Sequence, residues 1–138
     1  MKRTASAVWQ GDLKSGKGTV STESAVLSQT QYSFGTRFEN GKGTNPEELI
    51  AAAHAGCFTM ALSGQLGSAG LIPDKLETTA TVSFEKLEAG WTVTQIHLSV
   101  RGTVPKADAA AWEKATVAAR LAALSRACST RRSRWMRS

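Results

Sequence analysis

Cysteine is scarce in this chain: its 138 residues hold two, Cys57 and Cys128, far apart in sequence. So few thiols exclude a disulfide scaffold, and their separation lacks the paired spacing of a zinc site. Acidic residues are missing altogether from residues 120–138, which carry six arginines: Arg120, Arg126, Arg131, Arg132, Arg134 and Arg137. Residues 1–119 balance eleven bases with eleven acids, so the formal net charge of +6 belongs to the carboxyl end alone. The body of the molecule is therefore not built to attract polyanions. An apolar leader is also lacking, because Met1-Lys2-Arg3 runs into polar residues and a short strand-like stretch, and a cytoplasmic protein is expected. No repeat or linker divides the chain. At this length one domain is expected, small enough that a second subunit would help to bury its core.

What the chain does have is a long apolar segment with chemistry inside it. Asn45 suits a helix cap, Pro46 the first helical position, and Glu48 a capping-box partner, with Thr44 and Glu47 as a competing frame one residue earlier. From Leu49 to Leu66 apolar or small residues occupy nearly every face, which predicts a helix buried all round, stopped by Gly67 and Gly70. The length suits a membrane span. His54, Thr59, Ser63, Gly64 and Gln65 speak against one and for the core of a soluble protein. Before this helix, Thr4 to Gln10 and Gly18 to Leu27 read as a hairpin around Lys14-Ser15-Gly16-Lys17-Gly18, and Tyr32 to Phe38 as a third strand. After it, Leu76 to Leu87 and Trp91 to Val100 alternate as a second hairpin through Glu88-Ala89-Gly90, with Ala80, Val82 and Phe84 sharing a face. A phase shift after Val93 predicts a bulge near Thr94-Gln95. Asp108 then caps a helix through Trp112, Ala115, Val117, Ala118 and Leu121. Strands, long helix, strands and helix in that order are an α+β pattern.

Cys57 lies in the middle of the long helix. A thiol attacks only as thiolate, and a cysteine of ordinary acidity, with a pKa near 8.5, is mostly protonated at neutral pH. The helix dipole gives little help, since Cys57 is roughly three turns from the helix start and the dipole's effect fades after about one. His54, one turn back, and Arg37, in the segment before the helix, are the candidate partners. From the residues alone, Cys57 is either inert packing or a nucleophile, and His54 either a satisfied core residue or its neighbour.

The run Gly43-Thr44-Asn45-Pro46-Glu47-Glu48-Leu49-Ile50-Ala51-Ala52-Ala53-His54-Ala55-Gly56-Cys57-Phe58, preceded by Thr36-Arg37-Phe38-Glu39, closely resembles the OsmC/Ohr family of organic hydroperoxide reductases, on the OsmC side. Trp9 to Ser24, Glu77-Thr78-Thr79-Ala80 and Val104-Pro105 extend the likeness over roughly residues 7–119. The resemblance implies an OsmC-like fold of antiparallel sheets packed around a long buried central helix, in an intertwined homodimer with sites at the interface. It implies a peroxidatic thiolate at Cys57, with Arg37 favouring the ionised sulfur and polarising the peroxide, and Glu47 holding the guanidinium in a bidentate fork. The organic hydroperoxide becomes an alcohol, Cys57 becomes a sulfenic acid, and a dithiol reductant of lipoyl type restores it. No metal, haem or flavin cofactor is called for. Phe58 and Met60 are candidates for contact with the organic half of the peroxide, or simply core. Glu47 and Cys57 stand ten residues apart, about 15 Å along one helix, so an alternative to Arg37 bridging them is a meeting across a two-fold axis.

The chain departs from that family at its end. Relatives carry a resolving cysteine in a turn after the last helix, near the position of Ala122 or Ala123 here, and then a strand. This chain has Leu124-Ser125-Arg126-Ala127-Cys128 and an Arg/Ser/Trp/Met string. A domain over residues 1–125 and a basic tail over 126–138 are expected, with Cys128 as a displaced resolving thiol. One hypothesis for the tail is a shifted reading frame, which resequencing the locus would test. If no thiol resolves the sulfenate, the protein would be a single-turnover scavenger or ligand binder. A third reading has Arg131, Arg132, Arg134 and Arg137 on phosphates with Trp135 stacking, but neither a nucleic-acid nor a membrane partner is expected.

Overall fold

The turn after Gln10 closes an antiparallel hairpin of β1 (Ala5–Gln10) and β2 (Lys17–Thr22), registered Ala5 to Thr22 and Gln10 to Lys17. In the computed structural model, which describes residues 1–123, β3 (Thr30–Tyr32) pairs with β2 on its other side to complete a three-stranded sheet. The β2 strand ends five residues earlier than its composition suggests. Thr22 turns the chain, its backbone N–H donating to the Leu27 carbonyl and its hydroxyl accepting from the Leu27 N–H.

The expected strand over Tyr32 to Phe38 is corrected to a strand end and a short helix, α1 (Phe34–Phe38). The physical reason is a reciprocal cap. Ser33 accepts from the Thr36 N–H and the Thr36 hydroxyl accepts from the Ser33 N–H, satisfying two donors that a helix start leaves open.

Helix α2 (Pro46–Ser68) begins where Asn45 and Pro46 predict, with the Asn45 Oδ1 accepting from the Glu48 N–H at 2.8 Å. The Glu48 carboxylate accepts instead from the Thr44 hydroxyl. At the other end the Leu71 N–H returns to the Leu66 carbonyl past Gly70. The expectation of burial all round does not hold within one chain: Phe58, Leu62 and Leu66 are buried, while Ile50 is 42% and Met60 78% exposed. One stripe of the helix is buried among the described residues, and its other faces, equally apolar, are more exposed. Its length and apolar composition would suit a membrane span, while Phe58, Leu62 and Leu66 on its buried stripe pack into the core of the second unit.

β4 (Lys75–Leu87) and β5 (Gly90–Thr103) form a second antiparallel sheet. Two residues, Glu88 and Ala89, join them, and Gly90 takes the left-handed position at φ +112°. Ser83 pairs with Gln95 and Phe84 with Val93, leaving Thr94 as the extra residue of the expected bulge. Helix α3 (Ala109–Ala122) is capped by Asp108, whose carboxylate accepts from the Ala111 N–H at 2.7 Å.

The described residues form two compact units, Met1–Ile50 and Ala51 onward. In the second, Phe58, Leu62 and Leu66 of α2 pack with Ala115 and Ala119 of α3, over Leu76, Leu98, Val100 and Trp112. The boundary expected at residue 125, Cys128, the tail arginines and Trp135 lie outside the described residues.

Candidate active site

In the first unit, α1 and the start of α2 bring Arg37 and Glu47 together. The guanidinium meets the carboxylate side-on: Nε donates to both carboxylate oxygens at 3.2 Å and Nη2 donates to Oε1 at 2.8 Å. The geometry is a bidentate fork. Its members differ in exposure, with 12% of the Glu47 side chain and 35% of the Arg37 side chain accessible. The carboxylate is thus the sheltered anchor and the guanidinium the more accessible partner, an arrangement suited to presenting positive charge in a fixed direction.

Beside this pair lies a pocket of about 290 Å³ lined by Trp9, Leu13, Tyr32, Phe34 and Phe38, with Arg37 on its wall. Trp9 and Tyr32 are tilted with ring centroids 5.5 Å apart, Phe34 and Phe38 at 4.8 Å, and the guanidinium carbon sits 5.2 Å from the Phe38 ring centroid. Reasoning from sequence did not find this pocket. The signal was there: four aromatic residues within residues 9–38 of a chain poor in aromatics, but only the α1 turn converts their spacing into a wall.

In the second unit, Cys57 is half-buried on α2, one residue before Phe58. Phe58, at 4% exposure, belongs to the core, the second of the two readings open to it, whereas Met60 is exposed. His54, one turn earlier, is half-buried. The Thr59 hydroxyl donates to the Ala55 carbonyl at 2.7 Å and lies 2.8 Å from the Thr78 hydroxyl of β4, which ties the turn bearing Cys57 to the sheet. Among the described residues no group of three or more His, Cys, Asp or Glu is placed to hold a metal ion.

An α+β fold of this form is shared with organic hydroperoxide resistance proteins of known structure. One from Elizabethkingia anophelis superposes with a TM-score of 0.69 at 20% identity, covering 94% of this chain and 90% of that one. An OsmC-like protein of unknown function from Vibrio cholerae gives 0.71 at 16% identity, covering 89% and 90%. The family described as OsmC-like protein matches residues 39–132, and the chain belongs to that family. The match runs past residue 119, where the likeness read from motifs ends. Peroxiredoxin OsmC of Escherichia coli strain K12 is 58% identical over 107 residues, which cover 78% of this chain and 75% of that protein, and the Shigella flexneri peroxiredoxin OsmC gives the same figures.

Proposed function

We propose that this protein is a cysteine-based peroxidase that reduces organic hydroperoxides to alcohols in defence against oxidative and osmotic stress. Its relatives named peroxiredoxin OsmC support the activity. The observation that carries the assignment of Arg37 and Glu47 is their fork, a fixed guanidinium of the kind a peroxidatic thiolate requires, and Cys57 is assigned by likeness to the family.

The chemistry follows from the side chains. The Cys57 thiolate attacks the terminal oxygen of the hydroperoxide, the O–O bond breaks with its electron pair going to the alkoxide, and a proton converts the alkoxide to alcohol. Cys57 becomes a sulfenic acid. Arg37 favours the ionised sulfur and the developing charge on oxygen, and Glu47 fixes the direction in which its N–H groups point. The aromatic pocket beside Arg37 takes the organic half, which favours alkyl and aryl hydroperoxides over hydrogen peroxide. One thiol of a dithiol reductant attacks the sulfenic sulfur, releasing water and leaving a mixed disulfide. Its second thiol then closes the reductant's own disulfide and returns Cys57. Cys128, the other cysteine of the chain, is a candidate to intercept the sulfenic acid first.

The working form is a homodimer in the cytoplasm. Exposed Ile50 and Met60 on α2 and exposed Trp91 and Val93 on β5 support a second copy covering these faces. The spacing of ten positions between Glu47 and Cys57 along α2, a rise of about 15 Å, is consistent with sites completed across the two-fold axis.

The test is turnover of cumene hydroperoxide with excess dithiothreitol by wild type, Cys57→Ser and Cys128→Ser. Multiple turnovers abolished in Cys57→Ser are expected. Consumption of one equivalent and no more by wild type would overturn the catalytic reading in favour of a single-turnover scavenger.

A further inference from the structure

Helix α1 has five residues, too few to be stable in isolation. Yet it carries Arg37, whose placement the proposed chemistry needs. Its hold on the chain is therefore external. The Thr36 carbonyl, in the last turn of α1, accepts a hydrogen bond from the Asn45 Nδ2 at 3.1 Å. The same carboxamide caps α2, its Oδ1 accepting from the Glu48 N–H at 2.8 Å. Thr36 precedes Arg37 and Glu48 follows Glu47, so one side chain grips the chain neighbours of both members of the ion pair.

The two partners dictate which atom faces which. A backbone N–H needs the amide oxygen and a carbonyl needs the amide nitrogen, so only a group with one acceptor end and one donor end satisfies both. Aspartate caps a helix as well as asparagine does but has no donor for the Thr36 carbonyl when ionised. Serine also caps and offers a hydroxyl too short to serve both partners. Capping alone therefore does not require asparagine here; the bridge does.

We propose that Asn45 is a positioning residue of the peroxidase site, clamping α1 to the start of α2 so that Arg37 and Glu47 meet in their fork. The inference rests on the peroxidase reading above for its catalytic consequence, and on the two hydrogen bonds for its structural one. Thr36 is buried at 5% exposure, so the residue whose carbonyl Asn45 grips is itself a sheltered point of the fold.

The test uses Asn45→Asp and Asn45→Ser in the full chain. Both keep the cap and lose the bridge, and serine does so without adding charge. Both are expected to melt within a few degrees of wild type, while kcat/KM for cumene hydroperoxide per folded molecule falls about tenfold or more, since a displacement near 1 Å can cost up to about 10²-fold. The pH profile of kcat/KM should move toward that of Arg37→Met, which a mere loss of folded protein would leave in place. Crystal structures of both variants should show the Arg37–Glu47 fork opened. A fork intact in both, or wild-type kcat/KM and pH profile in both, would overturn the proposal. Should wild type itself turn over no hydroperoxide, the peroxidase reading fails, and the crystal structures still decide whether Asn45 holds the fork.

Discussion

The two units of this chain are held by different forces. In the second, buried apolar side chains do the work: Phe58, Leu62 and Leu66 of α2 against Ala115 and Ala119 of α3. In the first, none of the large apolar side chains is fully buried, and shape comes from directional contacts: the Ser33–Thr36 cap, the Asn45 bridge and the Arg37–Glu47 fork. The difference suits their proposed roles. Burial is non-directional and resists small changes, so it anchors the helix that bears the sulfur. Hydrogen bonds fix angles, so they aim the guanidinium, at the cost of sensitivity to the loss of a single partner.

Crossed substitutions would break this comparison most directly. Leu62, with no exposed surface, should cost about 2–5 kcal/mol of stability when replaced by alanine, because the cavity it leaves in a packed core closes only in part. Its kcat/KM per folded molecule should stay near wild type. Arg37→Met should do the reverse, lowering kcat/KM by about 10²-fold, the usual scale for one charge-stabilising donor, with a smaller loss of stability than Leu62→Ala, because the guanidinium side of the pair is partly exposed. Denaturant titration and peroxidase assays on the two variants check both halves. If Leu62→Ala silences folded enzyme, or Arg37→Met mainly unfolds it, the two units do not divide their labour in this way.

A smaller effect sharpens the claim for the first unit. A Cβ added at Gly41 would lie 2.8 Å from the Gly35 carbonyl carbon and 2.9 Å from its oxygen, backbone atoms that cannot rotate away. The same Gly41 donates its N–H to that oxygen at 3.1 Å. Gly41→Ala should therefore push the loop off α1, costing about 1–3 kcal/mol by overpacking and reducing peroxidase activity more than this loss of stability explains. Wild-type activity in a destabilised Gly41→Ala would show that α1 tolerates displacement.

Much of the fold could be read from local chemistry. Asn45-Pro46 marked the start of α2, Asp108 the start of α3, and the phase change after Val93 the bulge at Thr94, because each is decided by neighbours in sequence. Residues 33–38 misled for the same reason. Aromatic Phe34 and Phe38 favour a strand, and the reciprocal cap uses Thr36 where glutamate or glutamine would announce it. The apolar faces of α2 were legible as composition, but composition does not say which faces the same chain covers. Cys57 illustrates the limit for the site. Neither its spacing from Glu47 nor its alanine-rich surroundings separates a nucleophile from packing, and its proposed role rests on likeness to a family. The aromatic pocket needed the turn of α1 to assemble, so its four aromatic residues were visible in the sequence but their grouping was not.

The smallest effect contrasts the two units through their carboxylates. The Ser15 hydroxyl, followed by the Ser15 and Lys14 backbone N–H groups, holds the Asp12 carboxyl below its ordinary pKa in the first unit. In the second, Arg101 and then Lys75 hold Glu77 below its own, at 2.9 and 3.1 Å. A carboxyl whose folded pKa is depressed contributes stability above its unfolded pKa and loses that contribution as pH falls through the folded value. For both residues the contribution should thus be flat from neutral pH down to about pH 5 and fade below about pH 4. Salt should tell them apart. Exposed ion pairs are screened as the Debye length falls from about 10 Å at 0.1 M to about 3 Å at 1 M, whereas the Asp12 turn is made by short hydrogen bonds to uncharged groups. Comparing Asp12→Ala and Glu77→Ala with wild type in denaturant at pH 7 and pH 3, in low and high salt, should show the Glu77 difference shrinking with salt and the Asp12 difference persisting. Equal salt sensitivity would mean that the first unit depends on charge rather than on the directional bonds to which its shape is attributed.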